Sequence, residues 1–354
     1  MSAQTNARVR SYPFYAEYHG HRIDHLSALL PALRRSSDAL IWTAGDSSLD
    51  NKYWFSDRRP AALAYRDVLD PPESVCDVTY WMNALIEERQ QRQQQQGPEA
   101  PPRLAAINAA VEATTLNERT RRLRPQDRFL RDNLRPDDVL IVSVGGNDVA
   151  LTPTPCTIAS IGGLLALPTA LLRGRSLTCC APPCDDCCCG CGPSLLSCAG
   201  SCPPCLGYLK HLFGVRVQKY IERLTEKTLP SKVLVCMIYY PDEAAVPSWA
   251  GGTLGALGYN DNPARLQLII RKVFEEAVCR IRIPGTKVVP VPLFRCLDGK
   301  SSEDYVARVE PSAAGGRKMA ELLLDFIQQP AGQGLPLPPH AVSAPSTSLI
   351  AGRR

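Results

Sequence analysis

The chain has 354 residues, of which 45% are hydrophobic, enough apolar sequence to bury one large core or two smaller ones. Its formal net charge of +5 is small for this length, so overall charge does not indicate a nucleic-acid-binding protein. Residues 1–18 lack the apolar core of a signal peptide, and no apolar run is long enough to span a bilayer, so we expect a cytoplasmic protein.

One dense basic run, from Arg119 to Arg128, interrupts this balanced charge distribution. It contains no interleaved aromatic residues of the kind on which nucleic-acid bases stack. We therefore interpret it as a solvated face and expect no nucleic-acid partner.

Helix-like and strand-like segments alternate along the chain. Helical spacing of apolar residues at 23–34 predicts an amphipathic helix within an N-terminal segment, 1–37. Continuous apolar runs, typical of strands covered on both faces of a parallel sheet, occur at 39–44, 104–110, 139–144, 233–239 and 287–291. Further helices are predicted at 77–96, 208–229, 263–283 and from Ser312 onward.

This alternation predicts an α/β fold, a three-layer α/β/α sandwich around a central, mainly parallel five-stranded sheet. The domain would span 38–328, with a Gln/Pro-rich insertion at 88–103 and an apolar, then cysteine-rich, insertion at 155–206. The Pro-rich tail, 329–354, is expected to be disordered.

Small polar clusters follow two of the predicted strands. The first strand runs into Gly45-Asp46-Ser47, and the third runs into Gly145-Gly146-Asn147-Asp148. Each cluster alone is typical of an ordinary turn. Because ligands bind at the carboxyl ends of parallel strands, two such clusters together predict one site.

These blocks resemble the nucleophile block and the Gly-x-Asn-Asp block of the GDSL/SGNH hydrolase family, whose sheet is flavodoxin-like. The resemblance implies that Ser47 is the nucleophile and that its backbone N–H and the Asn147 amide stabilise the oxyanion. Asp46, Gly145, Gly146 and Asp148 would surround them. In the family's intervening block, Ala113 would stand at a glycine position, where its backbone N–H would still be present.

The last block departs from the family pattern Asp-x-x-His followed by Pro-Ser. Here Glu310 stands at the His position and Ala307 at the Asp position. An ordinary Glu, with a pKa of about 4.3, is a weaker base than imidazole at about 6.5, but burial could raise its pKa enough for catalysis. We predict Glu310 as a substitute base, with Asp304 as a like charge that could raise its pKa. The alternative is that Glu310 only precedes a helix that has Pro311 at its first position.

The chain contains five histidines: His19, His21, His25, His211 and His340. The first three precede the first strand and the last lies in the tail, so only His211 is expected to approach the strand ends. The alternative for His211 is a solvated position on a helix.

Ten of the fifteen cysteines fall between Cys179 and Cys205. Cys184, Cys187, Cys202 and Cys205 have the spacing of a structural zinc site, and we expect no other cofactor. The adjacent apolar segment instead suits S-palmitoylation, with membrane contact through 157–205 and membrane association by acylation. Disulfides and an unstructured insertion stay open as well.

Three functions follow from these observations. The first is a serine ester hydrolase acting on a small-molecule or lipid ester, of lipid or acetyl type, through Ser47, Asn147 and Glu310. The second is a catalytically silent protein of the same fold that binds a small molecule or lipid in the cleft. The third is a cysteine-rich metal-binding or membrane-attached interaction module.

Overall fold

Five parallel strands form the centre of the molecule. In the computed structural model, which describes residues 8–94, 102–153, 155–173 and 206–329, they are β1 (Ala39–Gly45), β2 (Leu104–Asn108), β3 (Val139–Ser143), β4 (Lys232–Met237) and β5 (Lys287–Pro292). Their spatial order is β2-β1-β3-β4-β5, and every neighbouring pair is parallel. The predicted five-stranded α/β sheet is confirmed.

Helices surround this sheet. In chain order they are α1 (Ser11–Ala16), α2 (Ile23–Ser36), α3 (Tyr65–Val68), α4 (Val78–Gln94), α5 (Leu116–Arg121), α6 (Pro125–Asn133), α7 (Gly146–Ala150), α8 (Pro155–Ala166), α9 (Thr169–Arg173), α10 (Gly207–Lys210), α11 (Val217–Leu224), α12 (Gly251–Ala256), α13 (Pro263–Glu276) and α14 (Ala313–Gln328). A π-helical turn, His211–Arg216, joins α10 to α11. Short strands pair outside the sheet, Tyr305–Val306 with Glu310–Pro311 among them.

Both faces of the sheet are buried, because successive side chains on a strand point to opposite faces. In β1, Trp42 belongs to one core together with α2, α11 and α13, while Ile41 belongs to a second core together with α4 and α14. Both side chains are fully buried. The chain therefore forms the predicted three layers.

A buried carboxylate fixes the helix before β1 to the sheet. Asp138, which directly precedes β3, accepts hydrogen bonds from Leu40 N at 2.9 Å and Trp42 Nε1 at 3.0 Å. Arg34 of α2 forms an ion pair with it at 2.5 Å. Because Asp138 thus has partners from both β1 and α2, its charge is compensated where water is excluded.

The strand order also determines where a ligand can bind. β2 and β3 lie on opposite sides of β1, as in the flavodoxin-like order, so the connections from these strands diverge at the carboxyl ends of β1 and β3. This divergence opens a crevice at that edge of the sheet. Both polar clusters of the sequence lie there.

The helices extend further than predicted at two places. α4 continues to Gln94, into the predicted 88–103 insertion, and α8 and α9 lie within the predicted 155–206 insertion. The helix α12 was not predicted at all. The cysteine cluster, Cys179–Cys205, and the tail from residue 330 lie outside the described residues.

The interpretation of 119–128 as a solvated face is wrong for part of the run. Arg119 is 1% exposed and Asp127 is fully buried. The two form an ion pair at 3.2 Å, and the Arg119 guanidinium also lies over the Tyr220 ring. The sequence pattern did not predict this burial, because the residues that contact Arg119 lie on other helices.

Candidate active site

Gly45 ends β1 in a conformation that only glycine can provide. Its φ is +134°, and a Cβ placed there would lie 1.7 Å from the Ser143 carbonyl oxygen of β3. This close approach lets Asp46 N donate to the same carbonyl at 3.0 Å. The chain then turns away from the sheet, and Ser47 follows at the top of the strand.

Ser47 meets Glu310, although the two lie 263 residues apart in the sequence. Ser47 Oγ donates a hydrogen bond to Glu310 Oε1 at 3.3 Å, and both residues are buried. Glu310 is held in place through its neighbours. The Tyr239 hydroxyl donates to Val309 O at 2.7 Å, and Asn51 Nδ2 donates to Pro311 O at 3.0 Å.

The pKa of Glu310 is raised from 4.5 to about 7. Burial is the largest cause, and the charges of Asp46 and Asp50 add to it, while the hydrogen bond from Ser47 acts in the opposite direction. Its second oxygen, Oε2, is buried and makes no hydrogen bond to the described residues. A carboxylate in this environment approaches the basicity of imidazole.

The alternative, in which Glu310 only precedes a helix that has Pro311 at its first position, is wrong because that helix begins later. Pro311 is in the short strand with Glu310, and the helix α14 begins at Ala313 with Ser312 as its N-cap, accepting from Gly315 N. Asp304 is not the like charge that acts on Glu310: it accepts a hydrogen bond from Lys318 Nζ at 2.7 Å. Asp46 and Asp50 have that effect instead.

Asn147 lies on α7, directly after β3. One N–H of its amide donates to Thr114 O at 3.0 Å, and the amide's second N–H is a further donor. The neighbouring Asp148 accepts from Leu116 N at 2.7 Å and Asn117 N at 2.9 Å. Asn147 and Asp148 together fix the loop before α5 against the end of β3.

The two glycines before Asn147 allow close packing at this point. Gly145 has a φ of +107°, and a Cβ there would lie 2.9 Å from the Phe213 ring. Gly146 lines a cavity that Ser47 and Glu310 also line. Both therefore leave room beside the predicted oxyanion donor.

Asp46 organises the loop that follows β1 and carries Ser47, here called the serine loop, without a hydrogen bond to Ser47 itself. It accepts from Ser48 N at 3.1 Å and Ser48 Oγ at 2.8 Å. Burial is the main cause that raises its pKa to about 6. Asp46 thus fixes the turn and places a second ionisable carboxyl near Glu310.

Ala113 adopts a φ of +54°, in the left-handed region that favours glycine. This conformation agrees with its alignment to a glycine of the family block. The neighbouring Thr114 carbonyl accepts from Asn147, so Ala113 lies in the loop that joins the two halves of the site.

We expect Ala113→Gly to leave stability unchanged or to raise it by up to about 1 kcal/mol. Glycine removes the left-handed strain of roughly 1–2 kcal/mol but adds unfolded-state entropy. Urea unfolding of the variant would measure the change. A loss of more than about 1 kcal/mol would contradict the strained backbone assigned to this residue.

A buried polar network behind Ser47 was missed by the sequence reasoning. Lys52 Nζ forms an ion pair with Asp50 at 2.7 Å, and both side chains are fully buried. Asp50 also accepts from Asn108 Nδ2 at 3.0 Å and Glu112 N at 2.9 Å. The Glu112 pKa is raised to about 8, chiefly by burial and then by Asp50 and Glu310.

Arg119 joins the end of β1 to the loop that follows β2. Its Nη2 donates to Gly45 O at 2.6 Å and its Nη1 to Thr114 Oγ1 at 2.6 Å. One buried guanidinium therefore contacts both the end of β1 and the loop of Ala113.

Two histidines, His211 and His19, lie in environments other than those predicted. His211 is 1% exposed, so the solvated alternative is wrong, and its neighbours Leu209 and Phe213 line the cavity. His19, His21 and His25 were expected to lie far from the strand ends, and this is wrong for His19. Its Nδ1 lies 3.4 Å from Glu112 O, in the loop of Ala113.

Ser47, Asn147 and Glu310 line one cavity. It encloses about 950 Å³, counting the space open to solvent. The structure therefore brings the three predicted catalytic residues to one place. A buried hydroxyl, a carboxyl group of raised pKa and an amide donor around one cavity have the chemistry that acyl transfer requires.

The fold is a flavodoxin-like α/β/α sandwich with the strand order β2-β1-β3-β4-β5. This strand order and the placement of both polar blocks agree with the resemblance to the GDSL/SGNH hydrolases that the sequence indicates. No protein-family model matches the sequence, and no curated protein matches it significantly.

Solved structures that align with most of this chain include esterases and a lipase/acylhydrolase, each at low sequence identity. A mutant of Axe2, an acetyl-xylooligosaccharide esterase from Geobacillus stearothermophilus, is 13% identical, with 83% of this chain and 96% of that chain covered and a TM-score of 0.38. A carbohydrate esterase family 3 protein from Talaromyces cellulolyticus is 11% identical (82% and 97% covered, TM-score 0.37). A lipase/acylhydrolase from Enterococcus faecalis is 13% identical (82% and 95% covered, TM-score 0.36).

The described part of the chain contains neither a metal-binding cluster nor a membrane-spanning helix. Within residues 8–94, 102–153, 155–173 and 206–329, no group of three or more His, Cys, Asp or Glu side chains could hold a metal ion. The four cysteines of the predicted zinc site, Cys184, Cys187, Cys202 and Cys205, lie outside these ranges. In the same part of the chain, no helix has both the length and the apolar character needed to cross a bilayer.

Proposed function

We propose that this protein is a serine ester hydrolase in which Glu310 replaces histidine as the general base. The observation that carries the proposal is the 3.3 Å hydrogen bond from Ser47 Oγ to Glu310 Oε1, between two buried residues that line the cavity. A nucleophile within hydrogen-bond reach of a base is the arrangement that activates serine.

In the acylation step, Glu310 takes the proton of Ser47 as Oγ forms a bond to the ester carbonyl carbon. The carbonyl oxygen becomes negative and accepts hydrogen bonds from the second N–H of Asn147 and from the backbone N–H groups of Ser47 and Ala113. Glu310 then returns the proton to the departing alkoxide, and the alcohol leaves. Water repeats the sequence on the acyl-serine and restores the free serine.

The raised pKa explains how a carboxylate can serve here. At about 7, Glu310 is half deprotonated at neutral pH, so it can both accept and return a proton. Burial supplies most of this effect, and the nearby charges of Asp46 and Asp50 supply the rest. No orienting residue of the Asp type is needed because Tyr239 and Asn51 hold the backbone around Glu310.

The test is hydrolysis of p-nitrophenyl acetate by wild-type protein between pH 5 and 9. Because Glu310 must be deprotonated to accept the serine proton, kcat/KM is expected to rise with pH and level off above about 7. A fluorophosphonate probe should label wild type with the same pH dependence and should not label Ser47→Ala. Turnover that survives Ser47→Ala would reject the serine mechanism, whereas turnover that appears only in Glu310→His would support the catalytically silent alternative.

A further inference from the structure

The cavity at Ser47 has a strongly uneven distribution of polar groups. At one end lie the side chains of the catalytic loops, Asp46, Ser47, Ser48, Asn147 and Glu310. The rest of the wall is largely aliphatic and aromatic. It includes Val149, Phe213, Leu254, Leu266, Ile270 and Val273.

Two hydroxyl groups in the remaining wall are already engaged. Thr253 Oγ1 donates to Ala150 O at 3.1 Å, and the Tyr239 hydroxyl donates to Val309 O at 2.7 Å. The wall beyond the catalytic loops therefore presents almost no polar group to an occupant. A sugar or another polyhydroxylated ligand would leave its hydroxyls without partners there, which is costly when water is excluded.

We infer that this cavity holds the acyl chain of the ester and that the enzyme prefers medium to long acyl chains over acetyl. This inference rests on the proposed function and names the substrate class of the same site. The wall begins next to the oxyanion donor, since Val149 and Ala150 follow Asn147 on α7, so a chain attached to the carbonyl carbon can enter it directly. Trp249 lines the cavity and is 41% exposed, which places it at the mouth.

The test is a series of p-nitrophenyl esters in which only the acyl group changes, from acetate through butyrate and octanoate to dodecanoate. Each methylene moved from water into an apolar wall should raise kcat/KM about fourfold until the cavity is full. A flat series, or one in which acetate is best, would overturn the acyl-chain inference while leaving the proposed function intact. A second series of acetate esters with lengthening alcohols should stay flat; a rise there instead would place the alcohol in the cavity and overturn the inference.

A substitution that fills part of the cavity tests the same inference, with a substitution outside the cavity as its control. Val273→Trp, on the wall formed by α13, should lower the ratio of dodecanoate to acetate kcat/KM by at least about tenfold. Ala264→Trp, at an exposed position of the same helix, should leave the whole chain-length profile unchanged. An unchanged ratio in a folded Val273→Trp protein would contradict the inference.

A binding measurement distinguishes failure of the acyl-chain inference from failure of the proposed hydrolase function. Calorimetric titration of Ser47→Ala with decanoate requires no turnover and no serine chemistry. If wild type hydrolyses none of the esters but Ser47→Ala binds decanoate, the acyl cavity stands and the hydrolase proposal fails. If decanoate does not bind, the acyl cavity is rejected whether or not acetate is hydrolysed, and this result holds even if Val273→Trp does not fold.

Discussion

Glu310→Gln is expected to lower kcat for ester hydrolysis by about 10²–10⁴ and, at pH 8, to make the folded protein more stable. Activity falls because an amide cannot take the proton of Ser47, which lies 3.3 Å from Glu310 Oε1. Stability rises because the amide removes a charge that wild type must bury, with Glu310 4% exposed. Few substitutions of a non-catalytic carboxylate would produce both effects at once.

The direction of the stability change follows from the pKa of Glu310. Burial raises it from 4.5 to about 7, so the folded state holds this proton more tightly than the unfolded state does. Wild-type stability contributed by this group is therefore fully present below about pH 4.5 and is lost as pH rises to about 7. The shift corresponds to roughly 3 kcal/mol above pH 7, and this is the upper limit for the gain in Glu310→Gln.

Urea unfolding at pH 5 and pH 8, together with p-nitrophenyl ester turnover, measures both effects. The stability difference between variant and wild type should be larger at pH 8 than at pH 5. Glu303→Gln, an exposed glutamate of the same segment, is the matched control and should change neither quantity. If Glu310→Gln retained wild-type turnover, or lost stability at pH 8, the assignment of a buried catalytic carboxylate would be wrong.

The fold was predictable because a covered parallel sheet leaves a direct mark on sequence. Its strands are buried on both faces, so β1 and β3 are continuous apolar runs bounded by glycine and small polar residues. The placement of Ser47 and Asn147 at the strand ends was predictable for a related reason: each follows such a run within a few residues. Glu310 was found only through the resemblance, since its short strand carries no comparable pattern.

The rest of the site depends on contacts that sequence spacing does not encode. Lys52 and Asp50 look like solvated loop charges, yet both are buried because they compensate each other beneath the serine loop. Arg119 was assigned to a solvated run, but its guanidinium bridges Gly45 and Thr114. The apolar cavity is formed by several helices that are distant in sequence, so no single segment predicts it.

Lys52→Met is expected to destabilise the protein by about 3–5 kcal/mol, because it leaves the Asp50 carboxylate buried without its ion-pair partner. In wild type, Lys52 Nζ lies 2.7 Å and 2.9 Å from the two Asp50 oxygens, and neither side chain is exposed. The remaining partners of Asp50, Asn108 Nδ2 and Glu112 N, are neutral donors that cannot cancel the charge. Urea unfolding at neutral pH measures the loss.

The same substitution should also change the pH dependence of kcat/KM, since Asp50 is one of the charges that raise the pKa of Glu310. Without Lys52 to compensate it, an ionised Asp50 would raise that pKa further, and the rise of kcat/KM with pH would shift to higher pH. The double variant Asp50→Asn, Lys52→Met removes both charges, so it should recover most of the stability and shift the pH profile below that of wild type. A double variant no more stable than Lys52→Met would show that the destabilisation comes from lost packing of the lysine rather than from an unpaired buried charge.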